Sequence, residues 1–227
     1  MNTTPNPVFT VGHSNHPLEV FISLLCQHGI AEVADVRSSP YTRSPYTAHF
    51  GRDAFEGLLG EHGIRYVYMG AELGGRPADR SCYDTSGRVL YERLAQTDDF
   101  LFGVQNLLRD ADQYRIALMC SEKEPLDCHR TLLVAHALTT EYGVDGNSVQ
   151  HILADGRLES HRDAMQRLLD SSESKKAQIR QYDMFAPSTG SDEVAELIDK
   201  AVRQQAARVA YVTTPWPTLG PDEEGML

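Results

Sequence analysis

The chain has 227 residues, 41% hydrophobic and 23% charged, an ordinary globular balance with enough chain to bury a full core. Its formal net charge of −11 argues against broad non-specific binding to nucleic acid, and no apolar run approaches the ~20 residues that cross a bilayer. Four cysteines without framework spacing, and a start with neither a basic nor an apolar stretch, lead us to expect a cytoplasmic protein in a reducing compartment, with no signal peptide and no membrane contact.

"VFTVG" (residues 8–12) is a short β-branched run closed by glycine, which predicts a buried strand. His13-Ser14-Asn15-His16-Pro17 follows, with Ser14 or Asn15 able to cap a helix and Pro17 suited to its first turn. Val20, Phe21, Leu24 and Leu25 form a helical stripe that ends at Gly29, with Cys26 on the same apolar face. "IAEVADV" (30–36) predicts a second strand. Between Val36 and Arg52 the chain carries Arg37, Arg43, Arg52 and His49, no acid, and interleaved Tyr41, Tyr46 and Phe50. Such a basic, aromatic island is suited to a phosphate or a nucleobase. It reads equally as a solvated loop whose arginines pair with acids elsewhere.

A helix from about Arg52 to His62, stopped by Gly63, and a strand "IRYVYM" (64–69) complete a strand-helix-strand-helix-strand series. The glycine-rich loop "GAELGGRP" (70–77) leads through irregular chain to Gly87, then to a helical stretch through Leu90, Leu94 and Phe100 to Leu108. "RIALMC" (115–120) predicts strand four, His129 to Leu138 a helix, "SVQHIL" (148–153) strand five, and Arg162 to Leu169 another helix. "DSSESKKAQ" (170–178) reads as a polar linker, and an amphipathic helix runs from Ser191 into "RVAYV", before a proline- and glycine-punctuated, flexible end. The expected architecture is an open, mostly parallel, Rossmann-like α/β sheet of about five strands flanked by helices, with a C-terminal helical extension. Its divisions are an α/β domain over 1–170, a linker over 171–190, and a helix with a tail over 191–227.

In open parallel sheets ligands bind beyond the carboxyl ends of the strands. Strand one delivers His13 and Ser14 there, strand two Asp35 and Arg37, and strand three Glu72 and Gly74-Gly75-Arg76. Strand four delivers Cys120, Ser121 and Glu122, followed by Cys128-His129-Arg130 at the next helix start. A helix N-terminus and a neighbouring histidine or arginine lower a thiol pKa, and the same geometry binds anions. "DCHR" therefore supports either a nucleophilic thiolate or an anion cradle gripped by Arg130, and Asp35 could orient or deprotonate His13 or His129. A metal held by Cys120, Cys128, His129 and His13 is a further reading. The spacing fits no structural zinc pattern and adjacent Cys-His rarely chelates one ion, so no metal ligand is assigned. A plain structural reading also stands: Cys120 buried at a strand end, Cys128 a capping-region thiol, Arg130 an ion-pair partner. There is no nucleotide-cofactor motif, the cofactor is left open, and Cys82 has no assignable role.

"QYDMF" (181–185) resembles the short peptide by which bacterial proteins dock on the replication sliding clamp, with Gln181 for polar register and Met184 and Phe185 as apolar anchors. The alternative is that Met184 and Phe185 fold back on the core.

"TVGHSNHPLEVF", "VADVRSSPYTRSPYTAHF", "GIRYVYMGAELGGRP", "ALMCSEKEPLDCHRTLLVAHAL" and "VQHILADGRLE" occur in this order. Together they resemble the bacterial family catalogued as domain of unknown function 488, over roughly residues 7 to 160. The resemblance implies a compact α/β fold with a shared pocket. Its motif residues fall on His13, Ser14, Asp35, Arg37, Arg43, Glu72, Gly74, Cys120, Glu122, Cys128, His129 and Arg130. The basic loop ends here in Tyr46-Thr47-Ala48-His49-Phe50, where the family pattern has Asn-Pro-Gln/His-Phe, so ligand choice could differ.

The leading expectation is an enzyme-like protein, a hydrolase or transferase, acting on a phosphorylated small molecule, nucleotide or nucleic acid. Cys128 is the candidate nucleophile, and Asp35, Glu122 and His13 or His129 handle protons. Arg37, Arg43, Arg76 and Arg130 hold the anion, with Ser14, Gly74 and Cys120 beside them and Tyr41 and Phe50 stacking on a base. The competing expectation is a non-catalytic, repair-associated binding module docked on the sliding clamp through Gln181, Met184 and Phe185.

Overall fold

The computed structural model describes residues 6–42, 44–171 and 191–213, so Arg43 and the 181–185 segment lie outside the described residues. Six strands form one open sheet: β1 (Val8–Gly12), β2 (Glu32–Asp35), β3 (Arg65–Tyr68), β4 (Ile116–Cys120), β5 (Val149–Ile152) and β6 (Leu158–Ser160). Their order is β3-β2-β4-β1-β5-β6. The first five run parallel and β6 pairs antiparallel with β5. β6 carries no strand pattern of its own. It forms because Gly156, at φ +84°, lets the chain reverse so that Leu153 N–H donates to Arg157 O at 2.9 Å.

Strand alternation divides the core in two. Phe9, Val11, Val33, Ala117, Met119 and Ile152 face one side, where α1 (Leu18–Gln27) and α2 (Arg52–Glu61) bury Phe21, Leu25, Phe55 and Leu59. Val8, Ala34, Val36, Ile116, Leu118 and Cys120 face the other side. That side is covered by α3 (Tyr91–Leu94), α4 (Asp98–Ala111), α5 (His136–Thr140), α6 (His161–Ser171) and α7 (Ser191–Val209). Each fully buried Leu or Phe stabilises the fold by about 1.5–3 kcal/mol.

Three local expectations need correction. Helix α1 starts after Pro17 with no side-chain cap, because Ser14 sits in a turn at φ +46°; its buried stripe is Phe21, Ile22, Leu24 and Leu25, leaving Val20 and Cys26 exposed. The stretch from Leu90 to Leu108 breaks into α3 and α4, because Thr97 Oγ1 accepts from Phe100 N–H at 3.3 Å and starts a new helix with Asp98 and Asp99 in its first turn. The helix after His129 opens as a π-helical turn, Arg130–Ala135, all six residues buried, before it continues as α5.

Helix α7 packs Ala201, Val202 and Ala206 into the second core. Gln205 Nε2 donates to Leu126 O at 3.1 Å and to Asp127 Oδ1 at 3.0 Å, tying the helix to the loop after β4. Among the described residues no helix is long and apolar enough to cross a membrane.

Candidate functional site at the strand carboxyl ends

The sheet register brings Gly12 level with Cys120, and Asp35 level with Met119, so the ends of β1, β2 and β4 form one ledge. Pairing continues past the strands: His13 N–H donates to Cys120 O at 2.8 Å and Ser14 N–H to Ser121 O at 2.9 Å. The loop after β4 then crosses Gly12 so closely that a Cβ there would lie 1.9 Å from Glu122 O. Only glycine admits this crossing. A 3-10 turn, Pro125–Asp127, capped when Leu126 N–H donates to Glu124 Oε1, turns the chain back and brings Cys128 beside Cys120.

Four side chains converge there. The sulfurs of Cys120 and Cys128 lie 2.9 and 3.0 Å from the same oxygen, Oε2 of Glu122. His129 Nδ1 lies 3.7 Å from the first sulfur and 3.9 Å from the second. Its other nitrogen, Nε2, faces the carbonyl of Val36 at 2.9 Å; a carbonyl only accepts, so Nε2 carries the proton. The sulfur, oxygen and nitrogen atoms of Cys120, Glu122, Cys128 and His129 all lie within 4.8 Å of one another. Glu122 is exposed as a residue but its carboxylate turns inward to the thiols.

Burial pushes the Cys120 thiol well up, and Cys128 beside it adds to the effect. Burial acts the same way on Cys128, but the hydrogen bond from Cys120 and the positive charges of Arg130 and His129 overcome it and hold that thiol well below its ordinary value. For His129, burial opposes protonation, and the hydrogen bond and charge of Cys128 outweigh it and raise the pKa. Glu122 is raised by burial and then by Cys128.

Arg130 is 0% exposed. Its Nη1 donates to Glu122 O at 2.7 Å and its Nη2 reaches Lys123 O at 3.5 Å, while Nε has no partner. The sequence places it in an anion cradle; in the structure the guanidinium lies beneath the loop and donates to its carbonyls from below. Among the described residues no carboxylate forms an ion pair with it.

A second arrangement sits on the other side of β2. Asp35, fully buried, accepts from Arg37 Nε at 2.9 Å, Arg37 Nη2 at 2.6 Å, the Arg37 backbone N–H at 3.1 Å and Tyr66 Oη at 2.8 Å. With four donors on its two oxygens, Asp35 orients Arg37, not a histidine. Arg37 Nη1 in turn donates to His13 Nε2 at 3.2 Å, which makes His13 Nδ1 the donor to Ser14 O at 2.8 Å. Burial, then the charge of Arg37, lowers the His13 pKa to about 4, so the ring is neutral. Phe50, expected to stack on a base, is buried and stacks on His13 with centroids 4.2 Å apart. His13 therefore belongs to this relay and not to the sulfur cluster.

The cluster opens onto a cavity of about 280 Å³. Arg37, Ser38, Ser39, Gly75, Arg76, Ser121 and Asp127 line it, and Tyr91, Val209 and Tyr211 close one wall. The Arg76 guanidinium lies 4.6 Å over the Tyr211 ring, and its backbone N–H donates to Ser38 Oγ. Gly74 packs on Ser38, where a Cβ would lie 2.5 Å from Oγ. Tyr41 is 75% exposed and lies outside the cavity lining, as does Ser14. Sequence reasoning passed over Ser38, Ser39, Tyr66, Gly12 and the wall formed by Val209 and Tyr211. Gly12 had a usable signal, a glycine closing a strand at the ligand-binding edge; contacts of residues some 90 positions away along the chain had none.

A mostly parallel open sheet with titratable side chains gathered at its carboxyl edge defines an α/β protein with a strand-end pocket. The chain belongs to the family described as Domain of unknown function DUF488, whose model matches residues 17–137, a span that holds Asp35, Arg37 and the whole Cys120 to Arg130 loop. No curated protein and no solved structure matches the chain.

Proposed function

We propose that the protein is an enzyme that binds a small phosphorylated molecule in the strand-end cavity, with the Cys120, Glu122, Cys128 and His129 cluster as its chemical floor. One observation carries this reading: Arg37 and Arg76, with the hydroxyls of Ser38, Ser39 and Ser121, line the same cavity onto which the cluster opens. Guanidinium and hydroxyl donors around a recess are the groups that bind a phosphate oxygen. The cavity volume, about 280 Å³, lies at the lower edge of the ligand-pocket range of about 300–1,000 Å³, which favours a mononucleotide-sized molecule over a polymer. Tyr91 and Tyr211 give that molecule an aromatic wall. Hydrolysis or group transfer at the phosphorylated group is the reaction class, with His129 and Glu122 holding protons beside the bound anion. The free thiols of Cys26, Cys82, Cys120 and Cys128 support a reducing compartment such as the cytoplasm.

Calorimetric titration of inorganic phosphate, pyrophosphate and AMP into the full chain tests the reading. Arg76 is exposed, so Arg76→Ala leaves the core intact. Loss of its charged hydrogen bond, about 1.5–3 kcal/mol, should weaken binding by roughly 10- to 100-fold. Equal affinity in the two proteins, or no heat with any of the three anions, contradicts it.

A further inference from the structure

We infer that Cys120, Cys128, His129 and Glu122 form a binding site for a borderline-soft divalent cation of the zinc type. This goes beyond the anion reading and does not depend on it. A nucleophilic thiolate needs one sulfur and one base. Here two sulfurs, one imidazole nitrogen and one carboxylate oxygen all lie within 4.8 Å of one another, and two thiolates with an imidazole are the donor set that selects such an ion. In a tetrahedral zinc site with Zn–S near 2.3 Å and Zn–N or Zn–O near 2.0–2.2 Å, neighbouring donors stand about 3.3–3.8 Å apart. The sulfur-to-nitrogen distances are 3.7 and 3.9 Å, and the sulfur-to-oxygen distances are 2.9 and 3.0 Å. A half-ångström swing of the Glu122 carboxylate, on an exposed residue, brings its oxygen into that range of both sulfurs, and the sulfur-to-nitrogen distances already stand at its upper edge.

Two further observations point the same way. Metal-bound histidines commonly donate their second ring N–H to a backbone carbonyl, which fixes the ring and leaves the other nitrogen bare. His129 Nε2 does this to Val36 O, and Nδ1, the nitrogen that would ligate once deprotonated, is the one turned to the sulfurs. Cys128 and His129 are adjacent in sequence, which argued against chelation, yet His129 Nδ1 lies 3.9 Å from its neighbour's sulfur. Second, the fully buried Arg130 has no carboxylate partner among the described residues and holds the loop that carries Glu122. On metal binding both sulfurs enter as thiolates and His129 as a neutral ring, the protons these groups carry pass to solvent, and no oxidation state changes. Three anionic ligands around a dication leave a single negative charge, which the buried guanidinium complements.

The test uses the full chain, reduced and stripped with chelator, titrated with Co2+ as a spectroscopic probe and then with Zn2+ in competition. One Co2+ per chain should bind, with thiolate-to-cobalt charge-transfer and strong tetrahedral visible bands, and Zn2+ should displace it. Cys128→Ser and Cys120→Ser should lose the charge-transfer intensity, and Glu122→Gln should weaken binding by about tenfold or more. Cys26→Ser should bind as the native chain does. If a cysteine variant fails to fold, by circular dichroism, the native spectrum and Glu122→Gln still decide. Folded native protein that binds no Co2+, or binds it with an oxygen-ligand spectrum and no sulfur band, overturns the inference. So does binding unchanged in Glu122→Gln and in both cysteine variants. Phosphate binding is measured without metal, so failure of one reading is separable from failure of the other.

Discussion

His129 Nε2 donates to the carbonyl of Val36 at 2.9 Å, and that bond turns Nδ1 of the same ring toward the sulfurs of Cys120 and Cys128. Val36 directly follows β2, whose last residue, Asp35, fixes Arg37. The sulfur cluster and the Asp35, Arg37 and His13 relay are thus set by one strand end. A change at Asp35 has consequences on both sides of it.

Asp35→Asn removes the charge from a carboxylate that accepts from Arg37 and Tyr66 in a fully buried position. It leaves the Arg37 guanidinium, 6% exposed, without its counter-ion. Breaking such a pair costs about 3–5 kcal/mol. Urea unfolding should show that loss, and a change below about 1 kcal/mol would mean the pair is already solvated.

Gly12→Ala should disturb the site more than the sheet. The added Cβ meets Glu122 O, a backbone atom that cannot rotate away, so the loop from Ser121 must shift. Phosphate and metal binding should both fall by about tenfold or more, while the far-ultraviolet circular dichroism stays native. Unchanged binding would show that the loop has slack the crossing does not imply.

Much of this frame was legible in the sequence. The parallel strands, and the delivery of Asp35, Arg37, Cys120 and the Cys128-His129 pair to one edge, follow from β-branched runs closed by glycine or polar residues. Orientation was not legible. Arg130 reads as an anion ligand by its chemistry, yet it is turned under the loop; Phe50 reads as a stacking platform, yet it packs on His13. The Glu122 carboxylate reads as a lone acid until the loop crossing at Gly12 brings it to two thiols. The break between α3 and α4 was hidden because apolar residues continue in register across Thr97, whose hydroxyl ends the first helix through its own local hydrogen bonds. The antiparallel β6 has three residues, too few for a period.

Acid should destabilise the protein through His151 and His161. Both are buried, with His151 Nδ1 2.8 Å from Thr10 Oγ1 and its Nε2 3.2 Å from His161 Nδ1. Burial, then His136, lowers the His161 pKa to about 3; burial, then His161, Arg130 and Arg167, holds His151 well below its ordinary value. Their unfolded values are about 6.5. Below that pH the unfolded chain takes up protons that the native rings refuse, so stability is flat above about pH 7 and falls as pH drops, by up to ~1.4 kcal/mol per pH unit for each ring. Urea midpoints between about pH 7 and 5 should show the slope, and His161→Leu should reduce it. An unaltered slope in that variant would remove this pair as the cause.

Iodoacetamide on native protein, read residue by residue, should modify Cys26 first. Cys26 is exposed, while Cys82, Cys120 and Cys128 are buried, the last at 1% exposure. Faster reaction at Cys128 than at Cys26 would show a thiolate open to solvent, and would favour direct nucleophilic chemistry at that sulfur.

The most direct test of the strand-end pocket is the backbone amide spectrum of the labelled full chain during titration with inorganic pyrophosphate. The account predicts saturable shifts concentrated at Ser38, Ser39, Gly75, Arg76 and Ser121, the residues that line the cavity. Shifts absent from these five, or gathered instead around the exposed Tyr41 and Tyr46 loop, would contradict it.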